Sequence, residues 1–222
     1  MQRAEEEETK QVRLLYSTKP VRVSLGKREY IIPANYFGPK EKDGRDTYDA
    51  GAAGYFGFVL FLPEYGGYTT DNWRDKFDRR LIEVLDVKTV DKNEMVFHPD
   101  RGYERVNPAG YGDPTARFQN ARPGLEDRPS IQAYGLQGFR PKGSNAGVTW
   151  TGKRGNGEFV FFRCHLAPGD QQQAGTHPLC DVRYFSEQED LFIAYRYSND
   201  HLPKWREIDD AVWAKLRQWE VR

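Results

Sequence analysis

Residues 157–219 decide the fold class and read GEFVFFRCHLAPGDQQQAGTHPLCDVRYFSEQEDLFIAYRYSNDHLPKWREIDDAVWAKLRQW. Phe159–Cys164 is a nearly continuous apolar run, which is typical of a strand central in a sheet. Asp181–Phe185 and Leu191–Tyr197 alternate in polarity, as half-buried strands do. Because the link Ser186–Asp190 is short and polar, we expect these last two strands to form an antiparallel hairpin.

The end of this stretch predicts one amphipathic helix. Asn199 or Asp200 can cap its start, and Pro203 is tolerated in a first turn. Apolar residues recur at three- and four-residue steps and form one stripe, made of Trp205, Ile208, Val212, Leu216 and Trp219. We expect the stripe to pack on the sheet and Trp213, which lies off it, to be exposed.

The chain before residue 100 also reads as strands. Val21–Leu25 and Tyr30–Ile32 flank a Gly-Lys turn and predict a hairpin, while the stretch over 40–49 predicts a polar loop. Phe58–Leu62 predicts a central strand, and Leu81–Val87 has the β-branched character of another. Together with the C-terminal helix, these elements predict an α+β fold whose sheet is mainly antiparallel, with the amphipathic helix packed on it.

The middle of the chain, residues 99–155, is rich in proline and glycine, with only Ile131–Leu136 and Val148–Trp150 predicting strands. For the domain organisation we predict a flexible charged tail over 1–12 and a single α+β domain over 13–222. Two similar β-rich halves, with a boundary near 100–155, are the alternative.

The composition limits the classes of partner and compartment. Thirty-three basic and 33 acidic residues leave no net charge, which argues against a nucleic-acid surface. No run approaches the roughly 20 apolar residues that span a bilayer. The start, Met1-Gln-Arg-Ala followed by four glutamates, does not read as a signal peptide. We expect any membrane link to come only from a leader or anchor absent from this chain.

Cys164 and Cys180 are the chain's two cysteines, and each lies at the end of a predicted strand. We predict a disulfide between them, which implies an oxidising compartment such as the periplasm. A zinc site with His165 and His177 is an alternative, but its spacing matches no standard site. Free thiols in a cytoplasmic protein are the third interpretation.

The sequence offers no catalytic signature, so we predict no catalytic residue, cofactor or metal. No HExxH or GxSxG pattern occurs. The glycine-rich stretch 152–157 precedes a strand and indicates a hairpin turn rather than a phosphate cradle. Asp209 and Asp210 are adjacent on a helix and diverge by about 100°, so they cannot act on one bond. A hydrolase using acids such as Glu64 and Asp71 remains an alternative.

Aromatic and arginine side chains on loops are the better candidates for recognition, since they supply large contact area and are common at interface hot spots. The turn Tyr65-Gly66-Gly67-Tyr68 is the leading example. The predicted partner-binding residues are Tyr65, Tyr68, Trp73, Tyr103, Arg105 and Tyr111.

Two stretches carry a resemblance to a known family. VRVSLGKREYIIPANYF at 21–37 and LPKWREIDDAVWAKLRQW at 202–219, together with the spacing of the cysteine pair, resemble periplasmic immunity proteins of type VI secretion effectors, particularly those against lipase effectors. The resemblance implies a non-enzymatic inhibitor whose partner is a toxic effector enzyme in the periplasm. An envelope module that holds a glycan or a lipid headgroup on aromatic loops is the alternative.

Overall fold

The computed structural model describes residues 17–37, 47–49, 54–72, 79–90, 95–98, 102–105, 130–139, 148–164 and 178–222. It confirms the α+β class, with mainly antiparallel strands and a C-terminal helix. The chain divides into two compact units, one of residues 1–88 and 204–222 and the other of residues 89–203. The predicted tail over 1–12 lies outside the described residues, and the single domain over 13–222 stays a prediction.

The first unit begins with the predicted hairpin. β1 (Pro20–Leu25) and β2 (Arg28–Pro33) pair antiparallel around Gly26-Lys27, where Gly26 has a φ of +61° that favours glycine. A short strand, β3 (Thr47–Asp49), pairs parallel to β1. The prediction of a polar loop over 40–49 was therefore wrong at its end, where backbone pairing outweighs side-chain polarity.

β4 (Phe56–Phe61) and β5 (Leu81–Lys88) form the second pair of this unit and run antiparallel. Gly57 lies at a bulge, and a Cβ there would stand 2.6 Å from the carbonyl oxygen of Val84. Every residue of β4 is buried, although among the described strands β4 pairs with β5 alone. The predicted central position was wrong, because side-chain packing rather than a second strand neighbour buries this run.

Helix α1 (Trp205–Trp219) belongs to the first unit rather than to the strands that precede it in sequence. The ring of Trp219 meets the rings of Phe58 and Tyr36 edge-on, at centroid distances of 5.1 and 4.7 Å. After the helix, Glu220 bridges to Tyr30 of β2 and accepts a 3.0 Å hydrogen bond from Arg28. The helix end is thereby fixed to the β1–β2 hairpin.

Two predictions about this helix were wrong in detail. Asn199 and Asp200 lie in a 3₁₀ turn, Asn199–Lys204, and the α-helix begins after Lys204, which makes no side-chain capping bond. The predicted stripe is buried, but Trp213 is buried as well, at 1% exposure. Trp205, Asp209 and Trp213 recur at four-residue steps and form a second buried row, so the helix is covered on more than one face.

The described residues of the second unit form eight strands. They are β6 (Met95–His98), β7 (Gly102–Arg105), β8 (Ser130–Ala133), β9 (Leu136–Phe139), β10 (Val148–Lys153), β11 (Phe159–Cys164), β12 (Leu179–Ser186) and β13 (Leu191–Ser198). β6 and β7 pair with each other, while β8 to β13 follow one another as an antiparallel meander. The predicted β12–β13 hairpin and the central position of β11 are confirmed.

Two features of this unit differ from the prediction. Ile131–Leu136 is not one strand, because the chain turns at Tyr134-Gly135 between β8 and β9. β7 was not predicted either, since its four residues lack any alternation of polarity. Both errors arise in the glycine-rich middle of the chain, where strands are too short to show a period.

Candidate partner-binding sites

The turn that carries Tyr65 and Tyr68 is held by backbone hydrogen bonds at both ends. The Phe61 amide donates to the carbonyl oxygen of Gly66 at 2.8 Å, and the Tyr68 amide donates to that of Asn35 at 2.7 Å. A Cβ at Gly67 would stand 2.5 Å from the same Asn35 oxygen, so only glycine permits this close approach.

Asn72, which is buried, fixes the far side of the turn. Its side-chain oxygen accepts a 2.8 Å hydrogen bond from the Thr69 amide, and its side-chain nitrogen donates to the Gly67 carbonyl oxygen at 3.3 Å. The segment 62–72 is thus ordered before any partner arrives, and such preorganisation lowers the entropic cost of binding.

The two tyrosines of this turn differ in role. Tyr68 packs its ring edge-on against Phe61 at 5.3 Å, which is a structural contact. Tyr65 is half-buried and has a φ of +53°, a backbone conformation that costs a non-glycine residue roughly 1–2 kcal/mol. Burial raises the pKa of the Tyr65 hydroxyl, and the negative charge of Glu207 on α1 raises it further. The Tyr65 hydroxyl is therefore harder to ionise than that of an exposed tyrosine, and it can donate a hydrogen bond.

The other predicted partner-binding residues are less fully described. Trp73 and Tyr111 lie outside the described residues. Tyr103 and Arg105 lie on β7, a strand rather than the loop we expected, and β7 is close to β11 and β12. The structure therefore does not bring the six predicted residues together into one described site.

A second ordered surface, which the sequence did not predict, is centred on Glu158 at the tip of the β10–β11 hairpin. Within the hairpin, its carboxylate accepts hydrogen bonds from the side chains of Arg154 at 2.6 Å and Asn156 at 2.8 Å. From the β12–β13 hairpin it accepts bonds from the Ser186 hydroxyl and the Gln188 amide, both at 3.0 Å. Glu158 thus ties two hairpin tips together.

The charge of Glu158 is favoured by this arrangement. Burial alone would raise the pKa of the carboxyl, but the hydrogen bonds from the Gln188 amide, Asn156, Arg154 and Ser186 outweigh it and lower the pKa. A general acid needs the opposite shift. The prediction that stretch 152–157 forms a hairpin turn is confirmed, and its arginine binds a carboxylate within the protein.

The structure contains the predicted disulfide between Cys164 and Cys180. The two residues are directly opposite each other on β11 and β12, and both are fully buried. The zinc alternative was wrong, because sulfurs bonded to each other are not thiolate ligands; His165 and His177 lie outside the described residues. In the described part of the chain, no group of three or more potential ligands could hold a metal ion.

The β8–β9 hairpin presents an exposed aromatic residue that the sequence analysis missed. Its two-residue turn places Tyr134 at a φ of +56° and Gly135 at +72°, and Tyr134 is 43% exposed. The dipeptide Tyr-Gly between short apolar stretches was the available signal, because Gly is typical of the second position in such turns.

Comparisons with known proteins complete the description. Among the described residues, no helix is long and apolar enough to cross a membrane. The sequence matches no protein-family model and no curated protein sequence. The fold is similar to the solved structure of an immunity protein of the type IV secretion system of Stenotrophomonas maltophilia, with a TM-score of 0.62 and 17% identity over 93% of this chain and 95% of that chain. The similarity shows that the two chains share a fold.

Proposed function

We propose that this chain is an immunity protein that binds a secreted antibacterial effector and inhibits it without catalysing a reaction. The observation that carries the proposal is the similarity of the fold, over 93% of the chain, to a solved immunity protein. The resemblance of stretches 21–37 and 202–219 to immunity proteins supports the same class. Both stretches fall largely within the first unit, so the sequence resemblance concerns mainly that unit.

The effector class is the finer part of the proposal. The sequence resemblance implies a type VI effector with lipase activity, whereas the solved neighbour is described as serving a type IV system. We therefore propose an antibacterial effector of either system, with a lipase as the most specific form.

We place the protein in the periplasm. The buried disulfide supports this location, because such bonds form and persist in oxidising compartments and are rare in the cytosol. A periplasmic effector would meet its inhibitor there after delivery from a neighbouring cell.

For the contact with the effector we propose the turn over 62–72, with Tyr65 as its anchor. The turn is rigid, its Tyr65 ring remains partly accessible, and aromatic anchors on ordered loops carry much of the binding energy at interfaces. The other residues named from the sequence remain proposed contacts with the effector; they are Tyr68, Trp73, Tyr103, Arg105 and Tyr111.

The first experiment targets both this chain and the product of its neighbouring gene to the periplasm of a test strain. We expect the neighbouring product alone to be toxic, co-expression to restore growth, and the two proteins to co-purify. Inhibition of ester hydrolysis by the purified product would identify a lipase. If the toxic product neither binds this chain nor is neutralised by it, the proposed function is wrong.

A matched pair of variants tests the proposed anchor. Tyr65→Ala should weaken the measured affinity at least about tenfold, as hot-spot truncations do. Tyr55→Ala is the control, because Tyr55 is an exposed tyrosine of the same unit with an ordinary backbone conformation. Equal affinities of the two variants would remove Tyr65 from the interface and leave the function standing.

A further inference from the structure

The tip of the β8–β9 hairpin has a composition that its backbone does not favour. Ala133 pairs with Leu136, so Tyr134-Gly135 is a two-residue turn in which both residues have positive φ. Such a type I′ turn favours Asn, Asp or Gly at its first position, and a tyrosine there costs folding free energy. The four-residue β12–β13 turn also contains a left-handed residue, and there it is Asp190, a residue type that tolerates this conformation.

The hairpin is also unusual in its charge. Residues 130–139 read SIQAYGLQGF and include no Asp, Glu, Lys or Arg, although 30% of the chain is charged. Its exposed side chains include Gln132, Tyr134 and Gln137, which are uncharged. Charged residues are depleted and tyrosine is enriched in the cores of protein–protein interfaces, and the composition of this stretch is of that kind.

Packing on one side holds the hairpin still. Gly138 pairs with Trp150 of β10, and a Cβ at Gly138 would stand 2.6 Å from the buried Trp150 ring. The ring therefore covers the glycine and fastens β9 to β10, while Leu136 is buried beneath the turn. Tyr134 thus projects from an ordered base and loses little backbone freedom on binding.

From these observations we infer that the β8–β9 hairpin is a contact site for the effector, with Tyr134 entering an uncharged pocket on that protein. The inference rests on the proposed function and names one part of its binding surface. Residues 130–139 themselves offer no cationic side chain that could contact a phosphate backbone. A protein partner fits, because tyrosine and amide side chains together supply apolar area and hydrogen bonds at low entropic cost.

The test exploits a change whose effects on stability and binding have opposite signs. Tyr134→Asn introduces the residue that the turn prefers, so the urea midpoint of the purified protein should be unchanged or higher. Its dissociation constant for the neighbouring-gene product, measured by calorimetry, should rise at least tenfold. Tyr134→Phe keeps the ring and should retain most of the affinity. Asp190→Asn, the control, has the same backbone conformation without an aromatic ring and should leave the affinity unchanged.

Each outcome decides the inference. If Tyr134→Asn binds as tightly as the unaltered chain, the hairpin is not a contact and the proposed function stands. If Tyr134→Asn lowers the urea midpoint, the tyrosine is structural and the inference fails. If the unaltered chain itself does not bind the neighbouring-gene product, the proposed function fails and this inference falls with it.

Discussion

Glu158 lies between two hairpin tips and accepts hydrogen bonds from residues as far as 30 positions along the chain. Its ion-pair partner, Arg154, also lies over the ring of Tyr184, with 5.5 Å between the guanidinium carbon and the ring centroid. Both side chains of the pair are largely buried, at 8% exposure for Arg154 and 14% for Glu158. Removing one partner of such a pair leaves the other charge buried, which destabilises a protein more than breaking an exposed pair does.

Replacing this carboxylate tests its role. Glu158→Gln should lower the free energy of unfolding by about 1–3 kcal/mol, because the charge-assisted hydrogen bonds to the Glu158 carboxylate, including its ion pair with Arg154, are lost. Urea denaturation measures the loss. Glu187→Gln, a change of the same kind at an exposed neighbouring position, should alter stability by less than about 0.5 kcal/mol. A loss of stability in Glu158→Gln as small as that in the control would contradict the conclusion that Glu158 ties the two hairpin tips together.

The lowered pKa of Glu158 also predicts a pH dependence. A carboxyl whose folded pKa lies below its unfolded value of about 4.3 stabilises the fold fully above that value. The contribution decreases as the pH falls through the folded pKa. The stability difference between the unaltered chain and Glu158→Gln should therefore be constant at neutral pH and diminish below about pH 4. A stability difference that grows as the pH falls would contradict the lowered pKa of Glu158.

Helix α1 shows how an element with a clear local pattern depends on distant strands. The three- and four-residue spacing of apolar residues defines its buried face, but the contacts of Trp219 are with Phe58 and Tyr36, far away in sequence. The arginine–glutamate pair of Arg28 and Glu220 then fixes the chain beyond the helix. Trp219 and Glu220 therefore attach the C-terminal end of α1 to residues of the N-terminal strands and of the turn that follows β2.

Truncating the tryptophan tests this attachment. Trp219→Ala should destabilise the protein by about 3–5 kcal/mol, because it removes a buried ring and leaves a cavity beside Phe58. The unfolding midpoint in urea measures the effect. Gln218→Ala, at the exposed neighbouring position, should change stability by less than about 0.5 kcal/mol. Near-equal midpoints for the two variants would mean that the helix end is held elsewhere.

On the scale of the whole molecule, the disulfide joins two strands whose cysteines are 16 positions apart. Closing a loop of this length reduces the conformational entropy of the unfolded chain. The bond therefore stabilises the second unit. It would persist in the oxidising periplasm, where we propose that the protein meets its effector.

Loss of the bond should therefore affect stability strongly. The double variant Cys164→Ala, Cys180→Ala should lose about 3 kcal/mol of unfolding free energy. A reductant added during urea denaturation should lower the midpoint of the unaltered chain and leave that of the double variant unchanged. If the reductant affects both proteins equally, or neither, the bond does not form in solution.

The sequence by itself determined the elements whose patterns are local. The apolar run of β11, the β12–β13 and β1–β2 hairpins and the buried stripe of α1 follow from side-chain spacing over a few residues. The cysteine pair could be predicted because both residues end adjacent strands, and Tyr65 could be named because loop aromatics are conspicuous.

Only the tertiary structure decided the rest, because it depends on contacts between residues that are far apart in sequence. It buried Trp213 and assigned α1 to the unit of β1 to β5. It brought Ser186 and Gln188 to Glu158, 28 and 30 positions away. Side-chain spacing records the faces of one element, whereas the partners of those faces are set by the folded chain as a whole.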